Sequence, residues 1–182
     1  MSTNEDKTVD LRLTSSSGGL LEPLPANTAS LTLTKNPHVQ FLPLLPEAIT
    51  SITVTDCAVR MLPPLNNLTC LKSLVIGNSQ VKQVCLSDLP QLEKVAIYKG
   101  QLTAFTVKGC PSVKKVNLED NQLKEVPTTL AELSALEELK LGGNLITQRP
   151  AWLSKIKNAF LDKSYAAPKS NFWNKLKQIT HW

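Results

Sequence analysis

The chain has 182 residues, 42% hydrophobic and 19% charged, with 20 Lys plus Arg against 15 Asp plus Glu for a formal charge of +5. That is an ordinary globular balance, enough for one domain and at odds with wholesale disorder. No apolar run approaches the roughly 18 residues of a membrane span, and four cysteines with no CxxC pair are too sparse for a disulfide scaffold.

Residues 1–7 are expected to be a flexible start. MSTNEDKTVD, with Glu5, Asp6 and Asp10, lacks the apolar core of a cleavable secretory signal. From residue 8 to 149 the chain aligns with itself. Leu11 and Leu13 predict a weak first strand, 20 residues ahead of Leu31 and Leu33. Clear units then start at Thr28, Ile49, Leu71, Leu92, Val113 and Leu136, at intervals of 21, 22, 21, 21 and 23 residues. Their fourth positions are Leu31, Ile52, Leu74, Val95, Val116 and Leu139, and their sixth are Leu33, Val54, Ile76, Ile97, Leu118 and Leu141. An apolar eleventh position closes the frame at Val59, Val81, Leu102, Leu123 and Ile146, displaced to Val39 in the first unit. Polar neighbours at positions 3, 5 and 7 give the two-residue period of a short strand with one dry face.

The returns between strands change along the chain. LEPLPANTASLTL and FLPLLPEAITSITV are Pro-rich and predict extended segments. Later, Leu65 and Leu68, Leu86 and Leu89, Val107 and Cys110, and Leu130 and Leu133 sit six and three residues ahead of the next unit. That spacing predicts 3₁₀ or short helical turns, with a short α-helix in VPTTLAELSALEELKL. After Ile146 the frame fails. Seven Lys and Arg against Asp162 give the remaining segment +6, so residues 1–146 carry −1. Pro150 opens a predicted helix with Trp152, Ile156 and Phe160 every four residues. Ser170 caps a second, bearing Phe172, Trp173, Leu176 and Ile179 beside Lys175 and Lys177. Residues 150–182 thus read as a basic helical cap over the raw end of the stack. The alternative is a helix whose Phe172, Trp173, Lys175, Leu176 and Lys177 meet a partner groove or an anionic membrane surface.

The frame LxxLxLxxNxL resembles the leucine-rich repeat family over residues 8–149, with Asn36, Cys57, Ser79, Gly100, Asn121 and Asn144 at its ninth position. The resemblance implies an α/β leucine-rich repeat solenoid: a curved parallel β-sheet on the concave face, extended, 3₁₀ or short helical convex segments, and a side-chain ladder at position 9. Gly100 supplies no side chain, so the ladder is expected to be thinnest there. Positions 3, 5 and 7 then line the concave face. They run from Ser30, Thr32, Thr34, Ser51, Thr53 and Thr55 to a charged half holding Lys94, Tyr98, Lys115, Asn117, Glu119, Glu138 and Lys140. Tyr98 is the one aromatic expected there, and an aromatic among lysines and a glutamate has the composition of a protein hot spot.

The Pro-rich returns are similar to the short repeats of bacterial effectors delivered into host cells. Some of those carry a C-terminal ubiquitin-ligase domain with a thioester cysteine; here about 36 residues follow Ile146 and none is cysteine. Catalysis is not expected: Cys57 sits at the buried ladder position, Cys110 replaces a packed apolar residue, no histidine falls near Cys70 or Cys85 in the frame, and the adjacent acidic pairs Glu137/Glu138 and Glu119/Asp120 point to opposite faces. Nor is any metal, cofactor or nucleic acid. The expectation is a monomeric, non-enzymatic module that binds a protein, such as a host protein, through its concave face. Its alternatives are a cytosolic scaffold or regulatory subunit and peripheral membrane association through the C-terminal helix. Its cysteine chemistry is cytoplasmic; an effector would be secreted into the host cell without a cleavable signal.

Overall fold

The computed structural model describes residues 7–10 and 23–161. Among these, ten strands follow in chain order: β1 (Lys7–Asp10), β2 (Thr28–Thr34), β3 (Ser51–Thr55), β4 (Ser73–Gly77), β5 (Gln83–Ser87), β6 (Lys94–Tyr98), β7 (Ala104–Lys108), β8 (Lys115–Asn117), β9 (Glu138–Lys140) and β10 (Asn158–Phe160). Eight form one curved parallel sheet in the order β1-β2-β3-β4-β6-β8-β9-β10, and β5 and β7 form a second parallel pair on the convex side. The chain is a parallel β-solenoid.

The sheet register reproduces the repeat frame residue for residue. Leu31, Ile52, Leu74, Val95, Val116 and Leu139 are successive partners, and all are essentially inaccessible. The sixth, first and eleventh positions join them in one core that runs the length of the solenoid. Burying each such Leu or Ile contributes about 1.5–3 kcal/mol over leaving it exposed. No single turn can enclose that surface, so the strands hold only as a stack.

Each turn leaves the concave strand through the same corner. Lys35, Asp56, Asn78, Lys99 and Asp120, all at position 8, have φ between 49° and 57°, and Gly143 completes the column at 68°. Asn and Asp tolerate this left-handed backbone best after Gly, which accounts for three of the five non-glycine choices. The next residue points inward. Asn121 donates from Nδ2 to the carbonyls of Ile97 (2.7 Å), Leu118 and Glu119, and its Oδ1 accepts from Leu102 N–H at 3.1 Å. Asn144 repeats the pattern one turn on, donating to Leu118 O and accepting from Leu123 N–H. At Gly100 the ladder has no side chain of its own. Asn121 serves that turn instead, and a Cβ on Gly100 would come within 3.1 Å of its Oδ1.

The expected three-residue convex spacing appears as i→i−3 hydrogen bonds: Leu68 to Leu65, Leu71 to Leu68, Leu92 to Leu89, Leu133 to Leu130 and Leu136 to Leu133. The expected α-helix in VPTTLAELSALEELKL is a 3₁₀ turn over Thr128–Glu132. Two returns depart further: 83–87 and 104–108 are strands. Position 15 differs between the units. It is Pro63, Pro127 and Pro150 in three units, and Pro43 in the first, as the Phe41–Met61 bridge aligns it. Only Cys85 and Thr106 carry an N–H there, and these two face each other in the β5–β7 ladder. A position-15 N–H points to the preceding unit, as in Thr106 to β5, so Pro127 has none to give β7 and the ladder stops there.

The strands at the two ends differ from those the spacing predicts. At the start, Val9 and not Leu11 is the partner of Leu31, and the strand begins at Lys7. A two-residue period cannot distinguish registers two residues apart; Leu11 and Leu13 lie outside the described residues. At the other end, the helix expected over Trp152–Phe160 is a 3₁₀ turn, Ala151–Lys155, followed by β10. Leu153 and Ile156 repeat the turn closure of Leu133 and Leu136, and Ala159 pairs with Leu139. A helix here would satisfy its own backbone and leave the edge of β9 bare, whereas a strand satisfies both. The parallel sheet therefore continues to Phe160. The second expected helix, from Ser170 on, lies outside the described residues.

Candidate functional site

Every concave residue is placed by strand register. Position 3 runs Ser30, Ser51, Ser73, Lys94, Lys115, Glu138 and Asn158; position 5 runs Thr32, Thr53, Val75, Ala96, Asn117, Lys140 and Phe160. The first half presents hydroxyls and the second presents charge. Of the expected contact residues, Lys94, Tyr98, Lys115, Asn117, Glu138 and Lys140 lie on β6, β8 and β9, and Glu119 lies two residues past the end of β8.

Their contacts divide them into held and unheld groups. Tyr98 is half-buried because its ring lies across Gly77, its partner on β4. A Cβ on Gly77 would stand 2.7 Å from the ring, so the glycine is there for space and not for an unusual φ. Glu138 sits between two lysines, 3.7 Å from Lys115 Nζ and 3.6 Å from Lys140 Nζ. These exposed pairs add little stability, but they fix where the charges stand. Asn117 Nδ2 donates to Glu119 Oε2 at 3.1 Å, and its Oδ1 accepts from Glu119 N–H at 2.9 Å. Lys94, at the other end of β6 from Tyr98, is exposed and has no ion-pair partner among the described residues.

The structure adds one residue to this face. Phe160, 53% exposed, lies at position 5 of β10 with the Lys140 ammonium 5.9 Å from its ring centroid. Its place was readable from Ile156, Ala159 and Leu161 at positions 1, 4 and 6. The small Ala159 where the frame has a larger side chain hid it, and the four-residue aromatic spacing pointed to a helix. Tyr98 is thus one of two aromatics on the charged half among the described residues.

The cysteines do different work. Cys57, at the ladder position, donates its thiol towards Leu33 O and Thr55 O, and Cys110 towards Lys108 O. Burial pushes both thiols above the ordinary range, with backbone hydrogen bonding opposing it in part; neither is poised as a nucleophile. Cys85 is exposed on β5 and Cys70 partly so. Among the described residues no group of His, Cys, Asp and Glu converges to hold a metal.

The expected membrane contact through a C-terminal helix is corrected. Among the described residues no helix is long and apolar enough to cross a membrane, and the first segment read as tail helix is a 3₁₀ turn and a strand. Phe172, Trp173, Lys175, Leu176 and Lys177 lie outside the described residues. Compared with known proteins, the chain matches no family model and no curated protein.

Proposed function

We propose that this chain is a leucine-rich repeat module, without catalytic activity, that binds a partner protein through the charged half of its concave face. One observation carries the reading. A half-buried aromatic, Tyr98, is seated on Gly77 at the end of a strand whose first residue, Lys94, has no ion-pair partner among the described residues, and that strand is paired in parallel on both sides. Hot spots combine such an aromatic anchor with charge on a surface that needs no reordering to bind. The partner is a host protein and the chain a bacterial effector acting inside the host cell. The similarity of its Pro-rich returns to effector repeats supports that step.

The test is quantitative capture from eukaryotic lysate by the full chain, by Lys94→Glu/Tyr98→Ala/Lys115→Glu, and by Ser30→Ala/Thr32→Ala/Thr53→Ala. A partner retained by the hydroxyl-half variant and lost by the folded charged-half variant supports the reading. Equal retention by both sinks it. Gly77→Ala refines the result, since it removes no charge: displacing the Tyr98 ring is expected to weaken binding about tenfold, the loss typical of an aromatic anchor.

A further inference from the structure

The flank joining the two sheets has a chemistry of its own. Down its twelfth positions run Gln40, Arg60, Lys82, Thr103 and Lys124, and down its tenth Ala58, Gln80, Gln101 and Gln122. None of these is a carboxylate. The ion pairs among the described residues lie elsewhere, at Lys114–Glu93 and around Glu138, so Arg60 and Lys82 face water uncompensated. Arg60 is also oriented: its Nε donates to Gln80 Oε1 at 3.2 Å, and its terminal guanidinium nitrogens have no acceptor among the described residues. The backbone beneath is saturated from turn to turn, with Arg60 N–H on Gln40 O, Gln80 N–H on Val59 O and Thr103 N–H on Lys82 O. Arg60, Met61, Gln80, Lys82, Gln83 and Gln101 line a hollow of about 490 Å³.

We propose that this flank binds an acidic, extended protein segment, with carboxylates on Arg60 and Lys82 and peptide groups on Gln80 and Gln101. A guanidinium with free terminal nitrogens takes a carboxylate in a bidentate pair. Side-chain amides both donate and accept, which matches a peptide backbone; a phosphate only accepts and would leave their oxygens unmatched. Turns repeat at about 4.8 Å and same-face residues of an extended peptide at about 6.8 Å, a mismatch that the flexible stem of Lys82 absorbs. Nucleic acid fits less well, because no aromatic lines the hollow for base stacking and residues 1–146 carry −1. The proposal does not depend on the concave-face reading.

The experiment is fluorescence anisotropy of a labelled octaglutamate peptide with the full chain at low salt. Binding is expected, at least tenfold weaker in Arg60→Glu/Lys82→Glu and within twofold of wild type in Lys72→Glu/Lys155→Glu, which makes the same charge change elsewhere. Gln80→Ala/Gln101→Ala is expected to weaken it three- to fivefold with an unchanged salt slope, because no charge is lost. No binding by the wild type, or equal losses in the two charge-reversal variants, overturns the proposal. So does a glutamine variant indistinguishable from wild type, which would leave only unspecific attraction. Equal affinity for a single-stranded oligouridylate, lost in the same Arg60/Lys82 variant, overturns it in favour of a polyanion site. Circular dichroism and thermal melting of each variant separate these outcomes from misfolding.

Discussion

The solenoid carries two parallel sheets made from the same repeat, one of eight strands and one of two. Both alternate buried and exposed residues: Leu74 and Ile76 on β4 are as inaccessible as Leu86 on β5. The apolar pattern is therefore not what makes one sheet long and the other short. Backbone donors are. The concave strands have an N–H at every rung, whereas the convex side meets Pro64, on the side facing β5, and Pro127, on the side facing β7. On the β7 side the open edge is closed by the Thr129 hydroxyl, which accepts from Val107 N–H at 3.2 Å.

The largest expected effect tests whether the two sheets are one cooperative unit. Leu74→Ala and Leu86→Ala each remove a completely buried side chain from the same core, and each is expected to cost about 2–5 kcal/mol. Urea unfolding should give a single transition for both, with the midpoint lowered and the slope kept. A separate early transition in Leu86→Ala alone would mean that the convex pair melts by itself.

Next in size is the polar ladder. Asn121→Ala orphans the Leu102 N–H and the Ile97 carbonyl inside the core, each about 1–3 kcal/mol when left unmet. Asn36→Ala should cost less, because its described bond is to Thr34 O, two residues away. Thermal melts of the two variants rank them, and equal losses would mean that the ladder does not bind turns together.

A proline exchange attacks the comparison directly. Ala104 N–H donates to Lys82 O at 3.2 Å, so Thr106, two residues on, presents its own N–H to β5. Thr106→Pro deletes that donor and makes this unit like its proline-bearing neighbours. The expected cost is about 1–3 kcal/mol. Hydrogen exchange should show lost amide protection across β5 and β7 while β3, β4 and β6 keep theirs. Protection that survives would mean that proline at position 15 does not set the extent of the convex sheet.

How much of this was legible follows from which interactions are local. The concave frame from Leu31 to Leu141 was readable because burial recurs at fixed spacing, and strand register carries Lys94, Tyr98, Lys115, Glu138 and Lys140 to one half-face with it. The convex strands were not. Leu86 and Leu89, or Val107 and Cys110, show a three-residue spacing that a 3₁₀ turn and a strand-plus-corner satisfy equally, and the distinction lies in position 15 compared across units. Strand β10 was missed because Trp152, Ile156 and Phe160 have a helical spacing that the unpaired edge of β9 overrides. The seat of Tyr98 on Gly77 spans two strands, and neither residue announces it alone.

The smallest expected effect concerns Cys57, where the ladder substitutes a thiol for an amide. Burial raises this thiol's pKa in the fold, so the unfolded chain releases its proton at lower pH than the folded one. Below the ordinary thiol range both states are protonated and the site contributes no pH dependence. As pH rises through that range, the unfolded state is stabilised by ionisation first, and folding stability falls until the folded thiol ionises too. Cys110 is raised for the same reason and adds to the slope. Cys57→Ser keeps a donor at this position and removes the ionisation, so urea midpoints measured from pH 7 to 10 should fall less steeply than in wild type. An unchanged slope would mean that the Cys57 thiol ionises alike in both states, and that burial in the ladder is no barrier to its charge.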